Sequence, residues 1–227
     1  MKNRTKILSI VYFLAGAAFI SLLNHASFFP GLIIKALIIP ILMIMFLVNL
    51  RTFLNRLSVM MLAGLFFSWA GDVILELSNL CGELFIPGLT CFLLAHVMYL
   101  TVFFISPGGN VIFRKRIYLL IPVILFGGGL IYYLYNDLGA MRIPVIVYSI
   151  IILIMLTGAI NRLEKVNRTS YNMVLAGAIL FVISDSLIAV NKFGHPFESS
   201  GIAIMITYIL AQYFIVLGYI KQFINKT

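Results

Sequence analysis

The chain has 227 residues, of which 63% are hydrophobic and only 10% are charged. Soluble domains average about 45–50% apolar and about 25% charged residues, so this composition excludes an ordinary soluble domain. It also excludes a disordered chain, because 19 phenylalanines and 11 tyrosines are far too many for one. Two cysteines, Cys81 and Cys91, give neither a disulfide framework nor a zinc motif. The net charge of +9 does not indicate a nucleic-acid partner, because the charges lie in short segments between apolar runs.

Eight continuous apolar runs follow one another along the chain, each near the roughly 20 residues that a membrane crossing needs. They are residues 7–27, 31–50, 57–78, 84–105, 117–135, 143–161, 171–191 and 200–220. No small-residue cleavage site follows the first run, so we expect an uncleaved first helix rather than a signal peptide. The sequence therefore predicts an all-α integral membrane protein with eight transmembrane helices, forming a single domain over residues 1–227.

The cations divide unequally between the two sides of this eight-span scheme. Thirteen of the 16 lysines and arginines lie on the side of the termini. They are Lys2, Arg4, Lys6, Arg51, Arg56, Arg114, Lys115, Arg116, Arg162, Lys165, Arg168, Lys221 and Lys226. The other side has three, which are Lys35, Arg142 and Lys192. Because cytoplasmic segments of membrane proteins are enriched in Lys and Arg, we predict that both termini are cytoplasmic.

Spans 3 and 7 share a pattern, M-x-L-A-G followed after six residues by a small residue and then Asp. The matching segments are Met60–Gly64 with Asp72, Met173–Gly177 with Asp185, Leu94–His96 with Leu210–Gln212, and Lys35 with Arg142. Four spans separate the members of each match, so the repeated helices run in the same direction. The pattern predicts a parallel 4+4 internal repeat, with halves of about 1–116 and 117–227, about an axis along the membrane normal.

Asp72 and Asp185 are costly inside a membrane and therefore indicate function. Asp72 lies 16 residues after Arg56, and Asp185 lies 17 residues after Arg168. At 1.5 Å per residue, both are roughly 24–26 Å from the inner boundary, a few ångström beneath the outer surface. Two carboxyls that share a low-dielectric pocket divide into one protonated and one ionised group. Such a pair suits acid/base hydrolysis of an ether-type bond and suits proton or cation transport equally well.

Further polar side chains fall in the layer of the two aspartates or within one to two turns above or below it. They are Lys35, Glu76, His96, Tyr148, Lys192, Tyr208 and Gln212. Each alone fits an ordinary role in helix packing or interface anchoring, but together they predict a site lined with acids, cations and hydroxyls. The three histidines, His25, His96 and His195, lack the close spacing of metal ligands, so no metal is predicted.

Five segments of the chain carry a family resemblance. They are Gly64–Asp72, Gly88–Tyr99, Pro144–Tyr148, Ser184–Phe193 and Tyr208–Gln212. In these segments the chain resembles the YhhN-type lysoplasmalogenase family of multi-pass membrane proteins, over most of its length. It departs from the family in span 2, where Ala36-Leu37-Ile38-Ile39-Pro40 follows Lys35 in place of the usual K-P-L-P.

The resemblance implies hydrolysis of the vinyl ether bond of lysoplasmalogens, the alkenyl glycerophosphoethanolamines and -cholines, to a fatty aldehyde and a glycerophospho-alcohol. It implies that Asp72 and Asp185 are catalytic, with a lysophospholipid and the bilayer as partners and no cofactor. It implies substrate binding by Lys35, Glu76, His96, Tyr99, Tyr148, Asn191, Lys192, Tyr208 and Gln212. The alternative from another class is a small proton- or solute-coupled transporter that uses the Asp pair.

Overall fold

The computed structural model describes residues 3–23, 28–50, 55–80, 82–105 and 116–224, without the side chains of residues 28, 223 and 224. Several residues of the charge and motif patterns lie outside this description. They are Lys2, His25, Arg51, Cys81, Arg114, Lys115 and Lys226.

Eight α-helices make up the described chain. They are α1 (Asn3–Leu22), α2 (Phe28–Asn49), α3 (Arg56–Leu77), α4 (Phe85–Ile105), α5 (Ile121–Leu134), α6 (Arg142–Ile160), α7 (Arg168–Phe193) and α8 (Ser200–Ile224). Short 3₁₀ turns at Gly82–Leu84, Ile117–Leu120 and Gly139–Met141 lead into α4, α5 and α6. Counted with these turns, all eight are long and apolar enough to cross a membrane. The prediction of an all-helical multi-pass membrane protein with eight spans is confirmed.

The helix ends differ from the ends of the apolar runs. α1 covers Asn3–Leu22 rather than 7–27, and α7 continues to Phe193 rather than ending at 191. Asn191 and Lys192 therefore lie within the last turn of α7, because polar residues at a membrane surface are compatible with a helix although they end an apolar run. Hydropathy locates the membrane-buried part of a helix, whereas capping and backbone hydrogen bonds decide where the helix ends.

The two helices that carry the aspartates begin in the same way. Asn55 precedes α3, and its side chain accepts a hydrogen bond from the backbone N–H of Ser58 at 2.8 Å. Asn167 precedes α7, and its side chain accepts from the N–H of Ser170 at 2.8 Å. Both starts read N-R-x-S. An Asn side chain at this position satisfies one of the backbone donors that a helix start leaves without a partner.

The helices fall into two compact units, Met1–Tyr99 and Leu100–Thr227. In the first unit, α1 packs on α2 and α2 packs on α3. α3 and α4 approach closely through glycines, because a Cβ atom added to Gly64 would lie 2.5 Å from the ring of Tyr99 and one added to Gly71 would lie 2.6 Å from the ring of Phe92. The small residue before Asp72, Gly71, therefore lets α4 approach α3 closely at this point.

In the second unit, α5 packs on α6, α6 on α7, and α7 on α8. The α7–α8 contact brings backbone against backbone. A Cβ atom added to Gly177 would lie 2.8 Å from the carbonyl oxygen of Ala211 and 2.9 Å from the amide nitrogen of Ile215. Gly218 on α8 likewise faces the backbone of Val174 on α7. Small residues at such positions allow membrane helices to approach closely.

A buried arginine ties the turn between α6 and α7 to the end of α8. Arg162 is fully buried and donates hydrogen bonds to Ser170 Oγ at 2.9 Å and Gln222 Oε1 at 3.2 Å. Ser170 in turn donates to the carbonyl oxygen of Gly218 at 2.7 Å. Burial lowers the pKa of Arg162 to about 10, so the guanidinium keeps its charge at neutral pH. The turn is therefore held at three points of polar contact.

Candidate functional site

In the first unit, one face of α3 carries three polar side chains near the end of the helix. Trp69, Asp72 and Glu76 are spaced by three and four residues, which places them above one another on a helix. Asp72 is only 4% exposed. A carboxyl this deeply buried in a membrane helix is far more costly than a surface carboxyl, which makes Asp72 a candidate functional residue.

Lys35 on α2 meets this face of α3. Its Nζ lies 2.9 Å from Glu76 Oε2, and the two side chains are 13% and 15% exposed. The same Nζ lies 5.3 Å from the centre of the Phe19 ring on α1. Lys35 is therefore held between a carboxylate and an aromatic face, both of which favour a cation.

Trp69 makes a second link between α2 and α3. Pro40 lacks a backbone N–H, so the carbonyl of Ala36, four residues earlier, cannot receive its usual helical hydrogen bond. Trp69 Nε1 donates to that carbonyl oxygen at 2.9 Å. The indole of α3 thus supplies the hydrogen bond that the Ala36 carbonyl of α2 would otherwise lack. Ala36 is next to Lys35 in the chain, and Trp69 is one helical turn before Asp72.

In the second unit, Asp185 lies half-buried on α7. The hydroxyl of Tyr148 on α6 donates a hydrogen bond to Asp185 Oδ2. Ser184, the small residue before Asp185, donates from its hydroxyl to the carbonyl oxygen of Ile204 on α8 at 3.1 Å. The position of Asp185 is therefore set by contacts of α7 with both neighbouring helices.

Two further predicted site residues of the second unit, Tyr208 and Gln212, lie on α8. Tyr208 on α8 meets Phe181 edge to face, with ring centres 5.6 Å apart. Its hydroxyl accepts a long hydrogen bond, 3.4 Å, from Nε2 of the fully buried Gln212. In the first unit, His96 and Tyr99 on α4 are also fully buried.

The structure brings together three pairs of the residues predicted to form the site. They are Lys35 with Glu76, Tyr148 with Asp185, and Tyr208 with Gln212. Asn191 lies half-buried and Lys192 exposed on the last turn of α7, and Arg142 stacks on Tyr135 with its Cζ 4.6 Å from the ring centre. Within the described ranges, no group of three His, Cys, Asp or Glu side chains is placed to hold a metal ion.

Sequence reasoning missed two residues of the first unit, Trp69 and Phe19. Trp69 has a signal that could have found it, because a proline within an apolar run leaves the carbonyl at Ala36 in need of a donor and the chain has one tryptophan. Phe19 has no such signal, since nothing in the sequence distinguishes it from the other phenylalanines of the spans.

These features define a multi-pass membrane protein with carboxyl groups set into helices of both units. The chain belongs to the YhhN family, which it matches over residues 31–219. It is 30% identical to the human lysoplasmalogenase TMEM86B over 144 residues, 63% of this chain and 57% of that protein. It is 35% identical to the lysoplasmalogenase TMEM86A of Bos taurus over 164 residues, 70% of this chain and 64% of that protein. The matched part is therefore less than two thirds of each relative, and no solved structure matches the chain.

Proposed function

We propose that this chain is a membrane lysoplasmalogenase, a hydrolase that cleaves the vinyl ether bond of lysoplasmalogens. Two relatives carry that name. The observation that carries the proposal is the pair of membrane-embedded carboxyls, the buried Asp72 and the hydrogen-bonded Asp185, in the two segments that the family resemblance includes. Vinyl ether hydrolysis needs an acid and a base and a site close to the lipid headgroups.

The proposed reaction begins with transfer of a proton from one carboxylic acid to the β-carbon of the vinyl ether. This step leaves an oxocarbenium ion, which the second, ionised carboxyl stabilises. Water adds to the cationic carbon and loses a proton to a carboxylate, which forms a hemiacetal. The hemiacetal collapses as its hydroxyl proton passes to the carboxylate that donated the first proton. Its bond to the glycerol oxygen breaks, and that oxygen takes the proton that the other carboxyl gained from water, so a fatty aldehyde and a glycerophospho-alcohol leave and the first carboxyl is protonated again.

The proposed reaction needs the two carboxyls to divide their roles, one as the proton donor and the other as the group that stabilises the cation and accepts the proton of water. Tyr148 donates a hydrogen bond to Asp185 and so helps to hold that carboxyl in place, while Asp72 is almost completely buried. We assign the two roles to this pair. This assignment requires the two carboxyls to lie within about 10 Å of each other, the range over which carboxyl pairs act on one bond through water.

The remaining site residues are assigned to binding of a single-chain phospholipid that enters sideways from the outer leaflet. The headgroup lies at Lys35, Glu76, Asn191 and Lys192, and Tyr148 lies beside the reacting bond. The alkenyl chain runs inward past the buried side chains, which are His96, Tyr99, Tyr208 and Gln212. The lysophospholipid and the surrounding bilayer are the proposed partners.

The decisive experiment is an aldehyde assay with purified protein in detergent. A lysoplasmalogen should release fatty aldehyde, while the analogue with a saturated ether should bind and inhibit without being cleaved, because it has no vinyl carbon to protonate. Cleavage of both substrates would contradict the enol ether mechanism. Release of aldehyde from neither would contradict the hydrolase and favour the transporter, whose test is proton or solute flux in proteoliposomes.

We further propose that both termini face the cytoplasm and place the Asp layer near the outer surface. The cation distribution supports this orientation. In a variant without native cysteines, Cys at position 136, in the segment between α5 and α6, should react with a membrane-impermeant maleimide added outside cells. Cys at position 116, next to the start of α5, should react only after the membrane is opened. The reverse pattern would overturn the orientation.

The parallel 4+4 repeat is the third part of the proposal. Two features support it within the units. Both aspartate helices start with an N-R-x-S cap, and the glycine of each M-x-L-A-G motif, Gly64 or Gly177, meets the following helix. An experimental structure whose halves, 1–116 and 117–227, do not superpose by rotation about the membrane normal would contradict the repeat.

A further inference from the structure

The Lys35–Glu76 ion pair lies near the end of α3 that, in the proposed orientation, faces the outer leaflet. Glu76 is the second-last residue of α3, and Lys35 lies in the second turn of α2. The two side chains are 13% and 15% exposed. Most of the pair is therefore shielded from solvent, which strengthens the attraction between the two charges, while a small part of each side chain remains exposed.

We propose that this ion pair reads a zwitterionic headgroup, with Lys35 contacting the phosphate and Glu76 contacting the terminal ammonium. The inference rests on the proposed lysoplasmalogenase function and adds residues that decide which lysoplasmalogens are cleaved. The pair presents a cation and an anion side by side, 2.9 Å apart. A phosphoethanolamine headgroup has an anionic phosphate next to a cationic ammonium. Its phosphate can therefore face Lys35 while its ammonium faces Glu76, and the four charges sum to zero.

The distance to the aspartate fits this placement. Asp72 lies four residues before Glu76 on the same face of α3, so it is about 6 Å deeper at 1.5 Å per residue. A glycerol backbone separates the phosphate of the lipid from its vinyl ether bond, and its length is similar to one helical turn. A headgroup held by Lys35 and Glu76 therefore places the vinyl ether at the depth of the Asp72 carboxyl.

The chemistry of Glu76 makes the headgroup preference specific. A primary ammonium donates hydrogen bonds to a carboxylate, and such charge-assisted bonds are the strong ones. The quaternary ammonium of choline has no N–H to donate, and a glycerol headgroup has no cation. The expected order of kcat/KM is ethanolamine first, choline second and glycerol last.

The ring of Phe19 supports the role of Lys35. A Lys side chain has long, flexible rotamers, and the aromatic face 5.3 Å from its Nζ restricts them. The ammonium is thereby held beside Glu76 before any lipid arrives. Preorganisation of this kind lowers the entropic cost of binding, so the pair serves recognition even where its own ionic attraction adds little to stability.

The test compares Glu76→Gln with the wild type on three lysoplasmalogens that differ only in headgroup, ethanolamine, choline or glycerol. The wild type should prefer ethanolamine over glycerol by at least about tenfold in kcat/KM, the size of one charge-assisted hydrogen bond. Glu76→Gln should reduce that preference to less than about threefold, through a higher KM for the ethanolamine lipid with kcat nearly unchanged, because binding outside the reacting bond is lost. The control is Glu83→Gln, since Glu83 is exposed on the connection after α3 and should leave the preference unchanged.

A second variant separates recognition from a merely structural ion pair. The exchange Lys35→Glu with Glu76→Lys keeps two opposite charges but reverses their order. If the pair only joins α2 to α3, the exchange restores the wild-type melting temperature and the wild-type headgroup preference, and the proposal is wrong. If the pair reads the headgroup, the ethanolamine preference stays lost. A wild type that releases no aldehyde from any of the three lipids would contradict the hydrolase itself, whereas an active wild type whose preference survives Glu76→Gln contradicts only this inference.

Discussion

Replacing Asp72 by Asn, or Asp185 by Asn, is expected to lower aldehyde release by at least about 10²–10⁴-fold, the contribution of a general acid or base. Asn keeps the shape of the side chain but neither delivers a proton to the vinyl carbon nor stabilises a cation by charge. The fold should hold, because a bilayer tolerates a neutral amide better than a carboxylate. Aldehyde production per mole of folded protein, with a thermal melt in the same detergent, measures both effects.

Asp137 provides the matched control, because it is the third aspartate of the chain and lies exposed in the turn after α5. Asp137→Asn should keep wild-type activity. The rate of aldehyde release by the wild type should also show a bell-shaped dependence on pH, because one carboxyl has to be protonated and the other ionised. If either Asp72→Asn or Asp185→Asn kept more than about a tenth of the activity, that residue would have no acid/base role of the expected size.

Replacing Gly177 by Ala is expected to destabilise the protein by about 1–3 kcal/mol, although Ala is the better helix former. The added methyl group would lie 2.8 Å from a backbone oxygen of α8, and a backbone does not move aside as a flexible side chain does. α7 and α8 would have to separate, and the contacts that position Ser184 and Asp185 would weaken with them. The midpoint of thermal unfolding in detergent reports the loss.

Gly128 on α5 is the control for this substitution. It is also a glycine inside an apolar helix, but a Cβ atom there meets no other atom within 4 Å. Gly128→Ala should therefore leave the melting temperature unchanged or raise it, because Ala has the higher helix propensity. Equal losses at the two positions would show that the cost at Gly177 comes from something other than close contact of the helices.

The number and class of the helices could be predicted from the sequence because a bilayer permits few alternatives. A run of about 20 apolar residues has to satisfy its backbone internally, and a helix does so. The same pattern is insensitive to helix ends, so it ended the seventh span at residue 191 and left Lys192 beyond the helix that contains it. It also gave no boundary for the two compact units, since the boundary after Tyr99 lies inside α4.

The sequence nominates candidate site residues but does not predict the contacts that they make. The high free energy of a carboxylate in the hydrocarbon core identified Asp72 and Asp185 as candidates from the sequence alone. Helical spacing placed Glu76 one turn from Asp72 on the same face. The partner of each polar side chain depends on how each helix is rotated about its axis against its neighbours. The apolar pattern of a single span does not determine that rotation. For this reason only the structure shows that Lys35 pairs with Glu76 and that Asp185 accepts a hydrogen bond from Tyr148.

The indole of Trp69 on the carbonyl of Ala36 has a consequence for how a lipid reaches the interior. If α2 slid away from α3, that carbonyl would face hydrocarbon without a donor, because Pro40 offers none, and a lone polar group there costs several kcal/mol. The two helices should therefore move together, with Lys35 and Asp72 keeping the same relative positions. In the proposed lysoplasmalogenase, a lateral opening for the lipid would then lie between other helices.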